Sequence, residues 1–400
     1  MSYLKFKGDY LFTGFEMLGQ GQVLVANERG VIQNIIPEGE AGEDLQILKG
    51  IVLPGFVNSH CHLELSHLHN LIPERTGLVD FVFDVITKRN LEEAAIYEAI
   101  ARAEDEMIAG GIVAVGDICN NAYSIPQKQK GRISYYNFIE VTGWSPEVAA
   151  ARFEKSRSFY EQFLESLPQE QLAMAPHAPY SVSEGLWQLI RSYYDRKTTS
   201  IHNQETRFED EFFIRGQGDL LRMYSLMHIE NPFFKPTGQS SLVSCLHNLD
   251  RAKNVLFVHN TFTTKESLEH LKKAWESPAM EGDFPHAFFC TCPNANLYIE
   301  DRLPSLDLFL EQGLTMTVGT DSLASNHSLN ILSELKTIIK HFPKIPQVQL
   351  LQWATINGAR ALQMENLFGS FETGKTPGII LIEKNEGDHM TQESSVRRIL

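Results

Sequence analysis

No uninterrupted apolar run in this chain approaches the roughly 18 residues that a membrane-spanning helix needs. No basic start leads into an apolar stretch and a small-residue cleavage site, so neither an anchor nor a secretory leader is expected. Basic residues are outnumbered, 35 Lys and Arg against 50 Asp and Glu, and the formal charge is −15. A chain without a basic stripe has nothing to displace counterions from a nucleic-acid backbone, which removes nucleic acid from the expected partners. The acidity serves solubility. Cysteine is scarce and odd in number, five in 400 residues. Cys290 and Cys292 sit at alternating strand spacing and read as reduced, buried residues rather than as metal ligands. Internal repeats and low-complexity segments are absent. These features fit a cytoplasmic location.

What is present is an ordinary globular composition, 43% apolar and 21% charged. The most informative stretch runs from Leu53 to Glu64, Leu-Pro-Gly-Phe-Val-Asn-Ser-His-Cys-His-Leu-Glu. An apolar run, Ile51-Val52-Leu53, leads into it. Alternate side chains of an extended strand share a face, so His60 and His62 point the same way, ready to hold one metal ion. Four later segments have the same form. Leu172 to His177 and Thr199 to His202 end in histidine, Val255 to His259 does likewise, and Leu314 to Asp321 ends in an acid. Each reads as a buried strand that delivers a functional group at its C-terminal end. In a parallel barrel those ends converge on one face.

The pieces Pro54-Gly55-Phe56-Val57-Asn58-Ser59-His60-Cys61-His62, Ala175-Pro176-His177-Ala178-Pro179-Tyr180-Ser181, His202-Asn203-Gln204-Glu205-Thr206, Val258-His259-Asn260, Cys292-Pro293-Asn294-Ala295-Asn296-Leu297 and Gly319-Thr320-Asp321-Ser322-Leu323-Ala324-Ser325-Asn326 occur in that order. Together they resemble the metal-dependent amidohydrolase superfamily, in the branch of S-adenosylhomocysteine, guanine and aminofutalosine deaminases and chlorohydrolases. The resemblance implies an α/β fold, a (β/α)8 TIM-type barrel with a small β-sandwich built from both chain ends. The expected division is residues 1–52 for the first sandwich strands, 53–364 for the barrel and 365–400 for the closing strands. Alternating strands and helices over the middle of the chain agree with repeated βα units. Leu91 to Ile108 reads as a helix stopped by Gly110-Gly111, Glu147 to Leu164 as another, and Leu350 to Leu362 as a third despite Gly358 inside it.

The resemblance also implies a role for each residue. His60, His62, His202 and Asp321 are the expected ligands of one divalent metal ion. Zinc is the expected ion and iron the second, since geometry and availability decide between them. No lysine stands where binuclear relatives carry their bridging one, which favours a single ion. A catalytic site leaves a position open for water, whose pKa the ion lowers towards about 7. Glu205, three residues after His202, is the expected proton shuttle. Asp321 also takes a proton, and His259 polarises or orients the reacting group. His177 and Glu64 are candidate substrate contacts, although Glu64 equally fits pairing with a nearby basic group. Asp117, closing a strand, either orients a ligand or is a buried structural acid. Arg207, Arg215 or Arg222 fits a remote carboxylate.

These residues lie at the start of a long segment, 207 to about 239, that either covers the site or forms a plain surface helix. The expected reaction is hydrolytic deamination of a small molecule, a 6-aminopurine nucleoside derivative of the adenosine or aminofutalosine type. Alternatives are another C–N or C–Cl hydrolysis (guanine, a triazine, a cyclic amide) and a catalytically inactive scaffold. Relatives of this kind are often dimers, which keeps a homodimer open.

Overall fold

The computed structural model describes residues 3–168, 170–275 and 285–400. Eight apolar segments form the central strands: β1 (Phe56–Cys61), β2 (Ile112–Cys119), β3 (Ser134–Val141), β4 (Gln171–Pro176), β5 (Thr198–Asn203), β6 (Asn254–His259), β7 (His286–Thr291) and β8 (Thr315–Val318). They make two four-stranded sheets, β1-β2-β3-β4 and β5-β6-β7-β8, with every neighbour parallel. Parallel strands need a covering layer on both faces, and β2, buried at all eight positions, shows the continuous burial that follows.

The two sheets touch at both edges. His60 O, beside a parallel bridge between Cys61 and Asp321, accepts the N–H groups of Thr320 and Asp321 at 3.0 and 3.1 Å. On the other side His202 N donates to His177 O at 2.8 Å, and Thr199 Oγ1 donates to Met174 O at 3.1 Å. Both seams therefore run through residues that the sequence marks as functional. The fold is α/β with parallel sheets.

The connecting helices follow the sequence closely. Glu93–Ala109 ends at Gly110, and Gly111 takes φ +79°, a conformation that favours glycine. Ala149–Ser166 carries the next long helix. The expected helix at 350–362 is interrupted. Gln347–Gln352 and Gly358–Ala361 flank a wider turn, Trp353–Asn357, with π-type bonding. Gly358 explains the geometry. A Cβ there would lie 2.9 Å from Ser59 Oγ and 3.0 Å from Val57 Cβ, so only glycine lets this helix rest on β1.

The chain ends form two further sheets. Ile32–Pro37, Gln22–Asn27, Tyr3–Lys7 and Leu45–Ile47 make one; Ser395–Arg398, Ile379–Glu383, Ile51–Pro54, Tyr10–Phe12 and Met17–Leu18 make the other. They share an apolar cluster that includes Phe6, Leu24, Val52, Phe371 and Leu381. The strand Ile51–Pro54 pairs antiparallel with Ile379–Ile382 and so straddles residues 52 and 53. All five cysteines are buried with free thiols. Among the described residues no helix is long and apolar enough to cross a membrane.

Gly358→Val should force the helix off β1. The expected cost is on the order of 1–3 kcal/mol, seen as a drop of several degrees in melting temperature. An unchanged melting curve would contradict the close packing described here.

Candidate active site

The ladder between β1 and β2 slips just before the site. Asn58 pairs with Val115, but Cys61 pairs with Asp117, so three steps on one strand meet two on the other. Such a bulge re-aims the side chains around it. The rings of His60 and His62 lie 4.9 Å apart, and their Nε2 atoms are 3.5 and 3.4 Å from Asp321 Oδ1. His202 Nε2 is 3.4 Å from His62 Nε2, and the His259 ring stacks 5.3 Å from that of His202. His60, His202, His259 and Asp321 each offer a ligand atom, all within 4.8 Å of one another. His62 adjoins that group through both His202 and Asp321.

The backbone is strained around this cluster. Gln204, His259, Asn260 and Asp321 all have positive φ, at +43°, +71°, +57° and +59°. Each costs about 1–3 kcal/mol, and such residues gather where surrounding structure holds a functional geometry. Asn260 shows how it is held. Its Nδ2 donates to Phe257 O and Cys290 O, at 2.8 and 3.2 Å.

Hydrogen bonds set the tautomers. His202 Nδ1 lies 2.8 Å from His177 O, which can only accept, so the proton is on Nδ1 and the Nε2 lone pair is free. His259 Nδ1 donates in the same way to Asn296 Oδ1 at 2.8 Å. His60 has no hydrogen-bond partner at either ring nitrogen, and His62 has none at Nδ1, although these atoms are buried. Buried polar atoms without partners are costly. Burial lowers the basicity of His60, His62, His202 and His259 below the ordinary histidine value. Buried imidazoles converging on one carboxylate, two of them with orphaned ring nitrogens, fit a divalent metal ion.

The two acids of the site are pushed apart. Burial raises the pKa of Glu205 well above the usual carboxyl range, and Asp321 and Glu300 add to it. Its Oε1 is 3.6 Å from His259 Nε2. Burial also resists ionisation of Asp321, but the contact with His60 and the nearby His62 and His259 outweigh it and hold its pKa far below normal. Ser325 Oγ donates to its other oxygen. Two carboxyls in one pocket whose surroundings push their pKa values in opposite directions suit the division of acid from base. Glu209 fixes the segment that carries Glu205, accepting the N–H groups of Gln204 and Glu205 at 3.0 and 2.7 Å.

The remaining candidates fall in different places. The His177 ring lies 4.8 Å from that of His202, and its Nδ1 is 2.9 Å from Ser181 Oγ. Glu64 is buried. Its Oε2 accepts the N–H groups of Asn120 and Asn121 at 2.8 and 3.1 Å, and its Oε1 is 3.6 Å from Arg89. It therefore pairs with a basic neighbour, and burial pushes its pKa up to about 7. Glu64 also lines a cavity of about 420 Å³ with Arg89, Asn120 and Glu140. Arg207 is exposed, its guanidinium 4.8 Å from the Phe208 ring. Arg215 is exposed at the end of the helix Arg207–Arg215. Arg222 is occupied by Asp80, at 2.7 and 3.0 Å, and by Asp219.

The segment after Glu205 is neither loose nor plain. Its helices Arg207–Arg215 and Leu220–Leu226 bury Phe212, Phe213, Met223 and Tyr224 against Leu68, Val79, Trp144 and Tyr180. Trp144 stacks on Tyr224 at 5.6 Å, and Tyr224 Oη donates to Tyr180 O at 2.6 Å.

Glu140 and Asn296 escaped the reading of the sequence as individual residues with roles. Glu140 Oε1 is 3.9 Å from His202 Nδ1 and has no hydrogen-bond partner, while Oε2 accepts from Asn120 Nδ2 at 2.8 Å. The available signal was the one used for the histidines, a polar residue near the C-terminal end of an apolar strand. Asn296 lay inside a motif already singled out, but nothing in the motif says which ring it faces.

Residues 51–397 match the profile of the Amidohydrolase family. The chain belongs to that family. As an amidohydrolase it is a hydrolytic enzyme of carbon–nitrogen bonds. An adenosine deaminase of Helicobacter pylori is 27% identical over 362 residues, covering 88% of this chain and 82% of that protein. A 5-methylthioadenosine/S-adenosylhomocysteine deaminase of Teredinibacter turnerae is 25% identical over 403 residues, 94% of this chain and 83% of the relative. In fold, the chain resembles the crystal structure of H. pylori aminofutalosine deaminase in complex with methylthio-coformycin. The TM-score is 0.79 at 23% identity, with 97% of this chain and 93% of that one covered.

Replacing Asn296 by Leu removes the acceptor that fixes the His259 tautomer. Turnover of this amidohydrolase is expected to fall about 10–100-fold with circular dichroism unchanged. Full activity in that variant would leave His259 orientation without a function.

Proposed function

We propose that this amidohydrolase is a metal-dependent deaminase of a 6-aminopurine nucleoside derivative, releasing ammonia and leaving the 6-oxo purine. The observation that carries the reading is the convergence of four buried histidines, His60, His62, His202 and His259, around the Asp321 carboxylate, with the buried Glu205 carboxyl 3.6 Å from His259. The adenosine and methylthioadenosine substrates named for the relatives support the purine. The contacts at both sheet edges support one closed eight-stranded barrel. The shared apolar cluster of the end sheets supports a β-sandwich beside it, with boundaries near 1–52, 53–364 and 365–400.

His60, His62, His202 and Asp321 would hold the ion, with His259 beside them. The nitrogen-rich donor set with one carboxylate suits zinc first and iron second. Bound there, the cation supplies Lewis acidity that makes a water molecule acidic enough to give up a proton near neutral pH. Asp321, ionised, accepts that proton. Glu205 donates its proton to the ring nitrogen next to the reacting carbon, which makes that carbon electrophilic. His259 orients the attacking and departing groups. The proton taken up by Asp321 passes to the departing amine, which leaves as ammonia; the hydroxyl proton lost as the 6-oxo group forms returns to Glu205, and the overall change is water in and ammonia out. His177, at the rim of the cluster, is proposed as a substrate contact. Glu64 and Arg207 are further candidates, and Arg215 gains no support from its exposed position. The small-molecule substrates named for the relatives support a small-molecule enzyme, which we place in the cytoplasm.

A panel of aminopurine nucleosides, guanine, triazines and cyclic amides, scored by ultraviolet change and ammonia release, tests the substrate class. Deamination confined to 6-aminopurines is expected; hydrolysis only of the others overturns the reading. Glu205→Gln should lower turnover by about 10²–10⁴-fold, and Asp321→Asn at least as far. Stripping metal with a chelator should abolish turnover, and zinc should restore it. Near-normal rates in either variant would remove the proposed mechanism.

A further inference from the structure

The mechanism leaves the buried Lys128 unused. Lys128 is 2% exposed, with its ammonium inside the protein. It ends a four-residue helix, Ile125–Lys128, after β2. Its Nζ is 2.5 Å from Asp117 Oδ2, 2.7 Å from Asn137 Oδ1 and 3.3 Å from Cys119 Sγ, and it lies 4.7 Å from the centre of the Tyr135 ring. Burial opposes the charge, and the Asp117 carboxylate outweighs it and holds the Lys128 pKa above the ordinary lysine value. A buried ion pair is weak evidence for stability, since apolar residues of the same size often serve as well. Its presence calls for another reason.

The other oxygen of Asp117 supplies one. Asp117 Oδ1 accepts the N–H of Leu63 at 2.8 Å, and Leu63 directly follows His62. This is where the β1–β2 ladder has already slipped. The side chain of Asp117 does the work of the backbone carbonyl that a regular ladder would present at this point. It pins the chain at the residue after the second histidine of the pair. A carboxylate held from one side only would be free to rotate; Lys128 and Asn137 fix it from the other.

We infer that Lys128 is a positioning residue, clamping Asp117 so that its free oxygen locks Leu63 and thereby sets His62 for metal binding. The inference rests on the proposed metal site, toward which it assigns this pair a role. Lys128 touches neither ion nor substrate and acts through Asp117 and the backbone. Partners beyond the ligands commonly tune metal affinity by about 10–100-fold.

The test measures zinc affinity of the metal-free full chain by competition with a chromophoric chelator, alongside its melting temperature. In Asp117→Leu/Lys128→Met no charge is left orphaned, so melting should stay within a few degrees of wild type. Zinc binding should weaken about 10–100-fold. In Lys128→Met alone, melting should fall and zinc binding should weaken at least about 10-fold. A purely structural pair would lower melting and leave affinity alone, and wild-type zinc affinity in either folded variant overturns the inference. Hydrogen exchange on the wild-type protein tests it without substitution. The Leu63 amide should exchange as slowly as those of β1, and rapid exchange there overturns the clamp. A wild-type chain that binds no zinc would instead sink the proposed function.

Discussion

Everything in this molecule turns on a set of imidazoles gathered in a buried pocket where the protein offers too few partners of its own. His60 is the extreme case, buried with both ring nitrogens unanswered. A fold tolerates such a centre only if its surroundings are rigid. The rigidity is visible as left-handed backbone at Gln204, His259, Asn260 and Asp321, and as side chains that serve only to brace: Asn260 across two strands, Asn296 behind His259, Glu209 under Glu205. The burial that lowers the basicity of the imidazoles also raises the pKa of Glu205. One physical condition thus acts on ligands and acid together.

The parts of the fold that could be read from the chain were those governed by local pattern. The apolar runs ending in His177, His202, His259 and Asp321 became strands or strand ends as expected, because burial on both faces demands continuous apolar sequence. The helix ending at Gly110-Gly111 was legible for the same kind of reason, a backbone rule that acts on neighbours. The turn at Trp353–Asn357 was not, because it answers to a packing contact between Gly358 and Ser59 from the opposite end of the chain. The strand Ile51–Pro54 reads as a lead into the site. Its pairing with Ile379–Ile382 depends on a partner that no local pattern names.

The site divides along the same line. Spacing carried His60 and His62, and motif order carried His202, Glu205, His259 and Asp321. What spacing could not carry was orientation. Glu64 was equally suited to ligand or ion-pair duty, and only the backbone of Asn120 and Asn121 together with Arg89 settles which groups face it. The arginines show the converse. Arg222 has the chemistry for a carboxylate, but Asp80 and Asp219 already use it. Glu140 ends an apolar strand as the histidines do, but Lys128 lies in the polar run Gln127-Lys128-Gln129-Lys130, where nothing local marks one lysine as buried.

The pairing of Ile51–Pro54 with Ile379–Glu383 has a consequence for how the molecule comes into being. The strand that leads into β1 has Tyr10 and Leu11 beside it early, but its other edge waits for residues 379–382. During synthesis that edge stands open until those residues have emerged. Contacts of such long sequence separation close slowly. The chemical centre is fully braced only after that late pairing, and the open edge in the meantime is where a nascent chain would need shielding from its neighbours.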